Sequence, residues 1–169
     1  MQSFRQRLEH LSLRVTPAVI TVLLVMFAAV PLRIPGAAQI MPIFALISIY
    51  YWGTFTPGTL PYLFLFALGL LEDTLTGTTM GVSSTINLGF ALVLTWERNN
   101  FGKTLFGTLW LGFISLSLVA VMTEWLIMSI SLGRMLPLAG HFLQWVATCL
   151  AYPPMHLIFT RIYRAMMDS

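Results

Sequence analysis

Two neighbouring carboxylates, Glu72 and Asp73, lie in the stretch Gly69-Leu-Leu-Glu-Asp-Thr-Leu-Thr-Gly-Thr-Thr-Met-Gly81, where acids, three glycines and four threonines interrupt an otherwise apolar chain. In such surroundings a carboxylate accepts hydrogen bonds, holds a cation or moves a proton, and an ionisable group inside a membrane segment is functional by default. Gly69, Asp73, Gly77 and Gly81 recur at four-residue spacing. If the stretch is helical, they form one small-residue face that admits close contact with another helix. The alternative is a short extracytoplasmic turn whose glycines end one helix and start the next, leaving both acids in water.

Four more polar residues sit in apolar runs. Glu124 shares a helical face with Ser117, Ala120 and Ser131, and Asn87 shares one with Ser83, Ser84 and Ala91. His141 and Gln144 fall at a corresponding depth in the last apolar segment. Small-residue faces bearing one polar group are how membrane helices pack and hydrogen-bond, so these residues either hold a bundle together or, with Asp73, line an outward-facing pocket or a docking surface for a partner helix.

Other chemistries lack their residues. Gly102-Lys-Thr104 resembles the end of a phosphate-binding loop, but the glycine needed five residues earlier is Glu97. There is no His-Glu-x-x-His, and His10, His141 and His156 are too far apart in sequence to form a helical ligand pair. Gly81-Val-Ser-Ser-Thr85 lacks the final glycine of a nucleophile elbow. The single cysteine, Cys149, supplies neither a disulfide nor a metal site. No catalytic residue, cofactor site or metal site is expected, and the chain does not read as an enzyme.

The elements that position these residues follow from composition. With 169 residues, 57% of them hydrophobic and 9% charged, and a mean hydropathy of +0.83, the chain has too little polar surface for a soluble globule. Long, unalternating apolar windows predict an all-α membrane protein of one domain rather than a barrel. The net charge of +3 comes from basic residues scattered singly at segment ends, which excludes a nucleic-acid surface.

Six transmembrane helices are predicted, at about 17–32, 39–55, 60–74, 80–96, 104–131 and 136–159, after an amphipathic cytoplasmic segment at 1–16 with Phe4, Leu8, Leu11 and Val15 on one face. The basic start and small residues near 28–38 also fit a cleavable signal peptide, but the hydrophobic segments that follow favour an uncleaved anchor. The aromatic run Tyr50-Tyr-Trp52 suits a membrane interface, and Pro153-Pro154 should bend the last helix. With both termini cytoplasmic, Arg5, Arg7, Arg14, Arg98, Lys103, Arg161 and Arg164 lie inside, against Arg33 and Arg134 outside. That asymmetry obeys the positive-inside rule.

The run Ile47-Ser-Ile-Tyr-Tyr-Trp52, then Pro57 and Pro61, then Gly69-Leu-Leu-Glu-Asp73 with Gly77 and Gly81, resembles MreD, the small multi-pass rod-shape-determining family of bacteria. Segment count, chain length and basic amino terminus agree with it over nearly the whole chain. The resemblance implies a non-catalytic component of the cell-elongation machinery in the bacterial cytoplasmic (inner) membrane. Its implied partners are MreC, the actin-like MreB, a RodA-type glycosyltransferase and a class B transpeptidase, besides membrane lipids. It also implies a fold like that of the six-helix substrate-binding subunits of energy-coupling-factor vitamin transporters. Two rival expectations follow: a membrane protein that binds a small molecule or lipid, and an intramembrane enzyme using Asp73 and Glu124 as a carboxylate pair.

Overall fold

A computed structural model describes residues 2–29, 41–98 and 106–167 of the chain. Six helices follow one another: α1 (Gln2–Ala28), α2 (Phe44–Phe55), α3 (Tyr62–Thr76), α4 (Val82–Arg98), α5 (Phe106–Ser131) and α6 (Leu138–Met167). No strand occurs among the described residues. The amphipathic face expected at 1–16 falls almost wholly on side chains outside the described ones. The expected end of the first span near residue 32 and the connection between the fourth and fifth spans, 97–103, likewise fall on side chains outside the described ones.

α2 is the axis of the bundle and packs against α1, α4 and α6. Its sequence is apolar all round, and such a helix has no face to give to solvent. Every residue from Ala45 to Trp52 is buried. Tyr50, Tyr51 and Trp52, expected at a membrane interface, are instead at most 3% exposed. Aromatics serve a core and an interface equally well in composition, and here the core claims them. Tyr50 meets Phe113 and Tyr152 edge-on at 5.3 and 5.7 Å, Tyr152 stacks on Phe113 at 4.5 Å, and Phe159 closes over Tyr51 and Trp52. The polar tips of two of these rings find partners, as buried hydroxyls should: Tyr50 donates to the Leu109 carbonyl (2.8 Å), and Tyr51 bonds Thr160 Oγ1 (3.1 Å).

α1 runs through Pro17 as one helix, so the chain does not turn between a surface segment and a span near residue 16 as expected. α6 likewise runs through Pro153 and Pro154, and extends past the expected end at 159. Hydropathy falls at Arg161 and Arg164, but the helix does not stop where the oil does. Pro153 has no N–H to offer the carbonyl of Cys149 four residues back. The indole of Trp110 on α5 donates to that carbonyl at 3.1 Å. Two more indoles tie the same pair of helices: Trp145 of α6 donates to Ser117 Oγ of α5 (3.2 Å), and Trp125 of α5 to the Leu136 carbonyl just before α6 (3.0 Å).

The outside of the bundle is apolar. Leu63 and Phe66 of α3, Leu92 and Trp96 of α4, Leu111 and Val119 of α5, and Leu150 and Leu157 of α6 are all exposed. Among the described residues, one helix, Phe106–Ser131, is both long and apolar enough to cross a membrane by length and composition.

Candidate functional site

The Gly69–Gly81 stretch forms a tight corner between α3 and α4. α3 ends at Thr76 because Gly77 enters the left-handed region (φ 69°), which lets the amides of Gly77 and Thr78 return to the Asp73 carbonyl. α4 then starts with amides that have no partner inside the helix. Asp73 supplies what they lack: Oδ2 accepts from the Gly81 N–H at 2.6 Å, and Oδ1 from the Ser83 N–H and the Thr78 hydroxyl, each at 3.0 Å. The carboxylate is 1% exposed, so it is a cap lent by one helix to the next rather than an acid in water. It also sets a negative charge against the positive end of the α4 dipole.

Gly69 serves the same corner by another means. A Cβ there would lie 2.3 Å from both the amide nitrogen and Cα of Ser84, and 2.8 Å from the Ser83 carbonyl carbon, so α3 and α4 touch backbone to backbone. The Ser84 hydroxyl crosses the contact to the Phe66 carbonyl at 2.9 Å. The four-residue repeat therefore divides. Gly69 and Asp73 lie on one helical face, whereas Gly77 and Gly81 (φ 94°) lie beyond the helix, and a Cβ added to either would meet nothing within 4 Å. Those two glycines are needed for backbone conformation and not for close approach.

Beside this corner lies a cavity of about 470 Å³. It gathers Asn87, Glu124, His141 and Gln144 from α4, α5 and α6, four of the residues singled out above. Asp73 is absent from its lining, its carboxylate being turned into the corner; its neighbour Glu72 stands there instead, with Thr76 one turn on. Successive helical residues point about 100° apart, so the register decided which of the two adjacent acids met the void. The pairing of Glu72 with Thr76 at i, i+4, both polar on an apolar helix, was the available sequence signal for that second face.

The opposite wall comes from α1, α2 and the segment before it, through Val25, Ala28, Pro42, Phe44 and Leu46. That wall is fixed to α6 where the Ile43 amide, which has no capping side chain of its own, donates to Thr148 Oγ1 at 3.0 Å.

Charge in the cavity is one-sided. Glu72 accepts a hydrogen bond from Asn87 Nδ2 at 3.3 Å, and Glu124 accepts none from the described residues. Asp73 acts electrostatically on both glutamates, and Glu124 on Glu72. No Lys or Arg is among the lining residues described. Asn87, 2% exposed, donates to Glu72, and its Oδ1 accepts no hydrogen bond from the described residues.

Among the described residues no group of three His, Cys, Asp or Glu side chains is placed to hold a metal ion. His156 lies away from the cavity, ringed by Tyr51, Phe55, Phe106 and Tyr152 at 5.0 to 5.8 Å between centroids, its Nδ1 unpaired. Asp73 and Glu124 do not meet as an acid–base pair, because one is saturated in the corner and the other opens on the cavity. The arrangement can accept hydrogen bonds and hold positive charge. No family model matches the chain, and no curated protein or solved structure matches it either.

Proposed function

We propose that the chain is an MreD-type component of the bacterial cell-elongation complex, non-catalytic, crossing the cytoplasmic membrane six times with both termini inside. It links MreC and MreB to a RodA-type glycosyltransferase and a class B transpeptidase. The observation that carries this reading is the α3–α4 corner. Four residues that bear the resemblance, Gly69, Asp73, Gly77 and Gly81, act there as one device of close contact, cap and turn.

The membrane assignment is supported by the apolar exterior of the helices around α2, which in water would be an extensive sticky surface. α2, at twelve residues about 18 Å long, is shorter than the hydrocarbon core of about 30 Å. The irregular segment Met41–Ile43 completes its path beside the cavity, the kind of place where non-helical backbone is tolerated at membrane depth.

The test is depletion in the native host together with affinity purification of the tagged protein from gently solubilised membranes. Depletion is expected to round the cells, and MreC is expected among the co-purifying proteins. Rods that persist on depletion, with no MreC recovered, overturn the reading. For topology, single-cysteine probes at Asn99 and Thr78 in a chain lacking Cys149 are expected to label from opposite sides; labelling of both from outside overturns the six-span arrangement.

A second reading, a membrane protein that binds a small molecule or lipid, is favoured by the cavity. Its volume lies in the range of about 300–1,000 Å³ typical of ligand sites, and it has polar groups converging from one side.

A further inference from the structure

We infer that the cavity between the α3–α4 corner and the α5–α6 wall binds a molecule bearing a primary ammonium group on an apolar body. The inference rests on the second reading above and names the ligand class.

The void is divided by chemistry. From α3, α4 and α5 it receives Glu72, Asn87 and Glu124, and from α1 and α2 it receives Val25, Phe44 and Leu46. A guest that satisfies both sides must be amphipathic, with its polar end toward the acids. That end is fixed by the acceptors the wall presents. Two carboxyl groups face the space and together receive one hydrogen bond, the 3.3 Å contact from Asn87, with no Lys or Arg among the described lining. Asn87, 2% exposed and among the lining residues, has an Oδ1 that accepts no hydrogen bond from the described residues.

Three acceptors, one each from Glu72, Glu124 and Asn87, match the three N–H donors of an ammonium group. An anion would meet like charge, and a neutral alcohol offers one donor to three acceptors. A dehydrated inorganic cation would need a tighter ligand set than the described residues provide. Charge-assisted hydrogen bonds are the strongest the cavity can form.

The ammonium group can arrive on a free amine or on an aminophospholipid headgroup, and the experiment separates these sources. The full-length protein is placed in phosphatidylcholine nanodiscs and titrated by calorimetry with methylamine, hexylamine and phenethylamine, and with 2-phenylethanol and hexanoate as neutral and anionic counterparts. Saturable binding of the two amphipathic amines is expected, tighter than that of methylamine, with no saturable binding of the counterparts. Glu72→Gln and Glu124→Gln are each expected to weaken amine binding about tenfold. Replacing part of the phosphatidylcholine by phosphatidylethanolamine distinguishes the sources: competition that removes amine binding assigns the site to the lipid headgroup, and its absence to a free amine.

Equal binding of 2-phenylethanol and phenethylamine, unchanged in the glutamine variants, overturns the ammonium class while leaving a ligand-binding cavity. Absence of binding by every probe overturns both. Comparing charged with neutral probes on the unmodified chain keeps the test decisive should a glutamine variant fail to fold.

Discussion

Glu72 and Asp73 are adjacent in sequence and belong to opposite kinds of region. In the α3–α4 corner, Asp73 accepts three hydrogen bonds and Gly69 allows backbone contact. In the cavity, Glu72 has a single 3.3 Å partner and Glu124 has none among the described residues. A carboxylate whose acceptor sites are filled by the chain's own donors is structural. One left with capacity facing a void is available to something else. The difference locates filled acceptors in the corner and spare acceptor capacity in the cavity, and mutations on the two sides should behave accordingly.

The largest effect is expected at Gly69. Gly69→Ala sets a methyl 2.3 Å from the Ser84 backbone, and backbone cannot rotate out of the way, so α3 and α4 must part and the Ser84–Phe66 bond with them. A loss of about 3 kcal/mol, the upper part of the overpacking range, is expected in the unfolding equilibrium of the purified protein in micelles. A loss below about 0.5 kcal/mol would mean that the contact is not tight and the corner is no firmer than the cavity.

Asp73→Ala comes next, at about 2 kcal/mol, since it strands two amides of α4 and removes a charge from the end of its dipole. Asp73→Asn should cost about half of that in the same measurement, because one acceptor oxygen remains. If Asp73→Asn retains full membrane abundance yet cells widen, the charge itself acts in function and the division drawn here is too sharp.

Gly77 gives a smaller and more diagnostic effect. The cost of leaving glycine at φ 69° is about 1 kcal/mol, and since nothing lies within 4 Å of the missing Cβ, Gly77→Leu should cost no more than Gly77→Ala. A leucine variant clearly worse than alanine in thermal denaturation would restore a steric role for the whole four-residue repeat.

Smallest of all is Glu72→Gln, expected to shift stability by no more than about 0.5 kcal/mol in either direction, because the amide keeps an acceptor for Asn87 and relieves like charge from Glu124 and Asp73. A loss as large as that of Asp73→Ala would erase the comparison.

Much of this organisation was legible in the sequence, and the losses have physical causes. Helices α2 to α5 lie within a few residues of their expected ends, apart from the start of α2, because hydropathy and Gly or Pro turns coincide there. Asn87, Glu124, His141 and Gln144 do converge, since depth along each apolar segment is readable from its ends. Rotation about each helix is not readable in the same way, which is why Asp73 and Glu72 exchanged places. The Tyr50–Trp52 run was misplaced because an amphipathic ring is equally at home in a core that satisfies its hydroxyl. The persistence of α1 past Pro17 and of α6 past Pro153 depends on surroundings that a local proline signal does not contain.

The three indole bonds between α5 and α6 make these helices a single plank. Trp125, Trp145 and Trp110 fasten it near the α5–α6 connection, in the middle and toward the far end, so prising the helices apart would break hydrogen bonds at all three heights. α1 meets its neighbours differently: Val25 lies against Ala45 and Leu68 in a contact of oil on oil, which can slide without stranding a polar group. The α5–α6 side of the cavity is thus held by hydrogen bonds, whereas α1 meets α2 and α3 at Val25 through apolar contact alone.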